Sequence, residues 1–186
     1  MIKFIMNNLT PHLIEDCQTY QLLNCKWTIQ GRSRAAERTG YLLTINGNTI
    51  AIDCGMQSNK KPDAVFLTHR HCDHTLALPT MFTRRANQLN GQEHLFGRPL
   101  YVPKECEPMI LHYCNSIIYL SDDTLLQNNN EIFKRMGLQI ITVKSNDKFT
   151  IPGVSNVLVE VMPCYHHDCV SHGFCFSEIK KKLKQE

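Results

Sequence analysis

Four potential metal ligands lie within six residues of one another, directly after a short apolar run at residues 64–68. They are His69, His71, Asp73 and His74. In an extended loop, side chains two residues apart point the same way, so His69 and His71 can bind one ion. Asp73 and His74 follow at a predicted helix start, where they can reach a second ion or orient its water. This spacing predicts a metal site at a strand end, and two ions there suit hydrolysis of a phosphate ester.

The ligand types indicate which metal the site prefers. Imidazole nitrogen with carboxylate oxygen favours zinc, and manganese and iron are the alternatives. A further group of histidines and cysteines lies later in the chain, at His166, His167, His172, Cys164, Cys169 and Cys175. The nine cysteines form no Cys-x-x-Cys pair. The apolar stretch at the amino terminus gives way to polar residues too early for a signal peptide. We interpret the cysteines as reduced, mostly apolar packing residues, with a zinc–thiolate site at 164, 169 and 175 as the alternative.

Hydrophobic patterning predicts the elements that position these residues. Strands are predicted at 41–45, 49–53, 64–68, 99–102, 138–143, 157–162 and 173–177, and helices at 76–89, 107–120 and 124–136. The dipeptide Asn46-Gly47 predicts a hairpin turn, whereas residues 31–38 resemble a polar loop. Hairpins come first and strand–helix–strand units follow, which predicts an α/β sandwich with helices on one outer face of the sheet.

Size and charge limit the class of protein. A chain of 186 residues suits one domain, residues 1–186, with a sizeable core. No apolar stretch approaches the roughly 20 residues that a membrane-spanning helix needs, so no membrane partner is expected. The net charge of +3 gives only mild attraction to phosphates. The absence of a targeting signal predicts a cytoplasmic protein, with the nucleus as the alternative.

Three segments resemble the metallo-β-lactamase superfamily and, within it, the short form of ribonuclease Z, the endonuclease that processes transfer-RNA 3′ ends. Residues 49–55, ending in Asp53-Cys54-Gly55, are similar to the family's strand that ends in Asp-x-Gly. Residues 66–79 resemble its metal motif and the following helix. In the third segment, His167 stands six residues before Gly173 and a Lys-Leu-Lys run follows at 182–184. The resemblance covers roughly residues 25–184.

The resemblance implies a fold and a set of site residues. The fold is an αββα sandwich, of which this chain would hold the N-terminal half plus adjoining strands. The first ion would be bound by His69, His71 and His167, with His166 as the alternative third ligand. Asp73 and His74 would bind the second ion, and Asp73 would act as the catalytic residue by holding the attacking hydroxide. Asp53 would brace a ligand ring without touching the metal.

Family members continue beyond the Lys-Leu-Lys run into a second half, which supplies a bridging aspartate, a final histidine and groups that protonate the leaving oxygen. We therefore expect a chain that is truncated relative to the family, with one well-formed zinc site and an incomplete second one. A homodimer or a separate chain is the expected source of the missing half.

The function implied by the resemblance is zinc-dependent endonucleolytic removal of the 3′ trailer from precursor transfer RNA. One alternative is a hydrolase of the same fold acting on another substrate. The other is a non-catalytic remnant, or half-enzyme, that binds metal or RNA. Candidates for contacts with an RNA backbone are Lys180, Lys181, Lys182 and Lys184. The alternative is an ordinary solvated charge run.

Overall fold

The computed structural model describes residues 13–22, 26–82, 98–123 and 125–180. The strands are β1 (Thr19–Gln21), β2 (Thr28–Arg34), β3 (Arg38–Ile45), β4 (Asn48–Cys54), β5 (Ala64–Phe66), β6 (Arg98–Pro103), β7 (Leu138–Val143), β8 (Lys148–Thr150), β9 (Val157–Cys164) and β10 (Ser171–Glu178). The helices are α1 (Cys72–Thr75), α2 (Leu78–Phe82), α3 (Glu107–Asp122) and α4 (Asn129–Met136), with 3₁₀ turns at Ile14–Asp16 and Lys104–Cys106.

Within the described ranges the strands form two sheets. The larger has seven strands in the order β1 to β7, and the smaller has three in the order β10-β9-β8. The strands β1 to β4 are antiparallel, and Asn46 and Gly47 close the predicted β3–β4 hairpin with φ of 50° and 85°, as a type I′ turn requires. From β4 to β7 the pairing is parallel. The carboxyl ends of these four strands therefore meet at one edge of the sheet.

The centre of the large sheet is buried on both faces. Ala64 and Phe66 of β5 pack between the two sheets, where the Phe66 ring lies 4.9 Å from that of Phe174 on β10. Val65, between them, points to the opposite face and packs in the cluster that contains Ile110 of α3. All three β5 residues have no solvent exposure. This two-sided burial explains why β5 reads as a continuous apolar run.

The α/β sandwich predicted from the sequence is confirmed, and most predicted strands are present. The prediction of a polar loop at 31–38 is wrong, because β2 runs to Arg34 and pairs with β3 through seven residues. Pairing with a neighbouring strand here outweighs a polar composition. The structure also has the short strands β1 and β8, which were not predicted.

The helix predictions are confirmed in part. The helix predicted at 107–120 is α3. The helix predicted at 124–136 begins only at Asn129, where the Asn128 side chain accepts a hydrogen bond of 2.8 Å from the Asn130 amide and caps the helix. Of the helix predicted at 76–89, the structure has α2 at Leu78–Phe82, and residues 83–97 lie outside the described ranges. The short helix α1 precedes the predicted range. In the described part of the chain, none of the helices has the length and apolarity needed to cross a membrane.

Candidate metal centre

Two loops meet at the carboxyl edge of the large sheet. The first, which we call the metal loop, comprises residues 68–74 and follows β5. The second, the β9–β10 loop, comprises residues 165–170. The two are joined by a backbone hydrogen bond of 2.9 Å that the His172 amide donates to the Thr68 carbonyl. Because His172 lies on β10, this bond holds the small sheet against the start of the metal loop.

Four side chains from these loops converge on one point. The potential ligand atoms of His69, His71, His166 and Cys169 all lie within 4.8 Å of one another. The Cys169 Sγ atom is 3.9 Å from Nε2 of His71 and 3.6 Å from Nδ1 of His166. His69 is 5% exposed, and the other three are partly buried. We call these four residues the ligand cluster. Imidazole and thiol groups in this number are the donors that zinc prefers, so the cluster fits a zinc-type ion.

His166, and not His167, provides the third ring of the ligand cluster. The side chain of His167 is exposed and does not belong to the cluster. This placement differs from the choice of His167 that the resemblance implied. Adjacent residues in a loop point in different directions, so a shift of one residue in the loop is enough to exchange the two rings. His172 is buried within β10 and also lies outside the cluster.

Asp53, near the end of β4, holds the metal loop in place through hydrogen bonds. It is 3% exposed and has a φ of 57° at the end of β4. Its Oδ1 atom accepts a hydrogen bond of 2.8 Å from the Thr68 amide, and its Oδ2 atom lies 2.7 Å from Nδ1 of His74. The Thr68 hydroxyl lies within 3.0 Å of both carboxylate oxygens and 2.9 Å from Nδ1 of His69. One carboxylate thus orients two rings, His74 directly and His69 through Thr68.

Asp73 and His74 lie beside the ligand cluster without belonging to it. The His74 ring centroid is 4.0 Å from that of His69, and its Nε2 atom is 3.5 Å from Oδ2 of Asp73. The same Asp73 oxygen accepts a hydrogen bond of 3.2 Å from the Ala36 amide, which follows β2. These two residues therefore offer a carboxylate and an imidazole at a position adjacent to the first group, as a second metal position would need.

The electrostatic environment shifts the pKa values of the neighbouring His69 and His74 rings in opposite directions. Burial, together with neighbouring histidines such as His74, lowers the pKa of His69 to about 4, against the opposing effect of Asp53. Burial also lowers the pKa of His74, but the hydrogen bond and negative charge of Asp53 outweigh it and leave that pKa raised. His69 is therefore neutral at neutral pH, and a neutral imidazole keeps the lone pair that a metal ion requires.

Two side chains that sequence reasoning missed complete the surroundings. Asp168 is exposed, and its two carboxylate oxygens lie 3.3 Å from Nε2 of His71 and 2.9 Å from Nδ1 of His166. The Arg70 guanidinium lies 3.5 Å from the Asp168 carbonyl oxygen, and so links the metal loop to the β9–β10 loop. The only sequence signal for Asp168 was its place in the run from His166 to Cys169.

Of the predicted RNA-contacting lysines, Lys180 is exposed after β10, and 181, 182 and 184 lie outside the described residues.

We expect Asp53→Asn to weaken zinc binding by about 10–100-fold. Asparagine tolerates the positive φ, but its amide replaces one of two accepting oxygens with a donor. Either the Thr68 amide or Nδ1 of His74 then faces an N–H group, so one of the two rings loses its orientation. Asp63→Asn is the matched control, because Asp63 accepts a bond of 2.8 Å from the Thr49 amide away from the cluster. Zinc titration against a chromophoric chelator measures both. Equal affinity in the two variants would contradict the bracing role.

Comparisons with known proteins bear on the fold. No protein-family model matches the sequence, and a comparison with curated proteins gives no match. Among solved structures, a diphosphatase from the PhnP family is 19% identical with a TM-score of 0.54, over 75% of this chain and 49% of that one. The metallo-β-lactamase fold protein YhfI from Bacillus subtilis is 15% identical with a TM-score of 0.53, over 81% of this chain and 58% of that one. The chain therefore has the metallo-β-lactamase fold, and it spans about half the length of these structures.

Proposed function

We propose that this chain acts as a metal-dependent hydrolase of phosphoester bonds. The observation that carries the proposal is the convergence of His69, His71, His166 and Cys169 at the carboxyl edge of the parallel strands. The four side chains are of the types that bind metal ions and come from two segments far apart in the sequence, so the fold itself brings them together. Asp73 and His74 beside it add the donors of a second position.

The residues present fit a divalent ion by the chemistry of their donors. His69, His71 and His166 would hold the first ion, and Asp73 and His74 would contribute to the second. When bound, such ions acidify water and neutralise the charge that develops on a phosphoryl group. The chain's own part is to keep the His69 ring neutral and to hold all the rings oriented and close together. Asp53 performs the orientation through Thr68 and His74.

Phosphoesters are the proposed substrate class for two reasons. One of the similar solved structures is a diphosphatase, and an exposed cation, Arg70, lies in the metal loop between two of the proposed ligands. Within that class we propose precursor transfer RNA, cut at its 3′ trailer to leave a 3′-hydroxyl on the transfer RNA and a 5′-phosphate on the trailer. The support for this narrower substrate is the resemblance of residues 49–55, 66–79 and 167–184 to ribonuclease Z. A second copy or a separate chain remains our proposed source of further ligands for the second ion.

The test is hydrolysis by the zinc-loaded chain of a precursor transfer RNA and of bis(p-nitrophenyl) phosphate. We expect the double variant His69→Ala/His71→Ala to lose on the order of 1000-fold in rate, since the bound metal contributes several kcal/mol to the transition state. His112→Ala, an exposed histidine on α3, is the control and should be unaffected.

The two substrates separate the coarse proposal from the fine one. Cleavage at the 3′ trailer supports the transfer-RNA endonuclease, whereas hydrolysis of the small diester alone supports a phosphoesterase with another substrate. Tightly bound zinc without turnover of either substrate would contradict hydrolysis by this chain on its own, and would favour a metal-binding protein or a half-enzyme that another chain completes. A rate that the double variant and a chelator both leave unchanged would contradict a metal mechanism.

A further inference from the structure

Cys169 is the member of the ligand cluster with no counterpart among the residues that the sequence motif supplies. Its Sγ atom lies 3.6 Å from Nδ1 of His166 and 3.9 Å from Nε2 of His71. The residue is partly buried. Two further cysteines near the cluster in sequence, Cys72 in the metal loop and Cys164 at the end of β9, are exposed and do not belong to the cluster. The structure therefore distinguishes Cys169 from cysteines that the sequence does not separate from it.

We infer that Cys169 is a thiolate ligand, and that the resulting three-histidine, one-cysteine site selects zinc-type ions over manganese. This inference rests on the metal site of the proposed function and adds a ligand and a metal preference to it.

The distances agree with tetrahedral coordination. Bond lengths of about 2.3 Å to sulfur and about 2.0–2.1 Å to nitrogen, at tetrahedral angles, place the two donor atoms roughly 3.6 Å apart. The separation between Sγ of Cys169 and Nδ1 of His166 is 3.6 Å, and that to Nε2 of His71 is 3.9 Å. Because all pairs of ligand atoms in the cluster lie within 4.8 Å, the widest pair must approach by about 1 Å to reach this geometry.

The charge balance of binding is simple. The Cys169 thiol releases its proton to solvent, and the sulfur lone pair forms the bond to the ion. Thiolate is a soft donor that suits zinc, whereas manganese prefers oxygen ligands. The Arg70 guanidinium contacts the carbonyl of the adjacent Asp168 at 3.5 Å, which holds this part of the β9–β10 loop close to the metal loop.

A fourth protein ligand does not conflict with hydrolysis. A tetrahedral zinc with four protein ligands is closed, so the open position that hydrolysis needs would lie beside it. Asp73 and His74 also lie next to the cluster, with the His74 and His69 rings 4.0 Å apart. The thiolate would thus fix the identity of the first ion while the adjacent position remains accessible.

Cobalt is the probe that tests the inference, because it replaces zinc and reports thiolate ligation as a sulfur-to-cobalt charge-transfer band in the near ultraviolet. We expect the full chain to bind cobalt with this band, Cys72→Ser to keep the band, and Cys169→Ser to lose it while the visible ligand-field bands persist. In competition, Cys169→Ser should weaken zinc binding by about 10–100-fold and reduce the preference for zinc over manganese. Cys169→Asp, which restores an oxygen donor, should bind metal without the band and shift the preference further to manganese.

The outcomes separate this inference from the proposed function. Cobalt bound without a charge-transfer band, or a band that survives in Cys169→Ser, would overturn the thiolate ligand and leave the hydrolase standing. Failure of the chain to bind cobalt or zinc at all would overturn both. Circular dichroism of each variant checks that the fold is retained. If Cys169→Ser fails to fold, loss of the charge-transfer band in Cys169→Asp tests the thiolate ligand instead.

Discussion

His166→Ala should lower zinc affinity by on the order of 100-fold, whereas His167→Ala should leave it nearly unchanged. The two histidines are adjacent in sequence, yet the ring of His166 lies 4.5 Å from His69 and 4.8 Å from His71, centroid to centroid. His167 is exposed and outside the ligand cluster. Loss of one ligand among three or four removes a large fraction of the binding free energy. Competition with a chromophoric chelator measures the affinity of each variant.

The pair of variants is its own control, because both remove a histidine from the same loop. Any general effect on the β9–β10 loop would appear in both, and only loss of a ligand separates them. The reverse result, with His167 essential and His166 dispensable, would show that the loop binds metal in the register implied by the resemblance to ribonuclease Z. Equal and complete loss in both would indicate a role in holding the loop, with no assignment of the third ligand.

The metal loop could be predicted from sequence because its information is local. The buried parallel strand β5 consists of apolar residues and reads as a continuous apolar run, and the histidines follow soon after it. The alternation of side chains in extended backbone then places His69 and His71 together. The structure brings these two rings to a centroid separation of 4.8 Å. Asp53 was likewise expected beneath the loop, and its carboxylate contacts Thr68 and His74.

The rest of the site depends on contacts between distant segments, which spacing does not encode. The β9–β10 loop reaches the metal loop because the His172 amide bonds the Thr68 carbonyl, 104 residues earlier in the chain. The choice between His166 and His167 depends on how that loop turns after β9. The participation of Cys169 depends on the same turn, and its sequence context resembles that of several other cysteines in the chain. The strand β2 was missed for a related reason, because its polar residues become a strand only by pairing with β3.

Gly55→Ala should be among the most damaging small substitutions in the described part of the chain. Gly55 follows β4 directly, and a Cβ atom at this position would overlap the carbonyl oxygen of Asp73 and lie 2.7 Å from the backbone nitrogen of Thr39. Both neighbours are backbone atoms, so no side chain can rotate away to make room. Overpacking of this kind usually costs about 1–3 kcal/mol. We expect a loss of about 3 kcal/mol in the free energy of unfolding, measured by urea denaturation.

The same substitution should act on the metal site, because the backbone around Gly55 supports the metal loop. The Gly55 amide donates to the Thr39 carbonyl at 2.8 Å, and the carbonyl of the preceding Cys54 accepts from the Ala77 amide at 2.7 Å. A methyl group must push Asp73 away from β4, and His74 moves with it away from Asp53. Zinc affinity should then fall at least as far as in Asp53→Asn, by about 10–100-fold.

Gly47→Ala separates this steric effect from the general cost of replacing glycine. Gly47 lies in the β3–β4 turn with a φ of 85°, and an added Cβ there would meet no atom within 4 Å. Its substitution should cost about 1 kcal/mol through backbone strain alone and leave zinc affinity unchanged. If Gly55→Ala instead matches Gly47→Ala in both stability and zinc affinity, then the close approach of β4 to Asp73 is not what positions the metal loop. In that case the Asp53 hydrogen bonds alone would have to hold His74 and His69 in place.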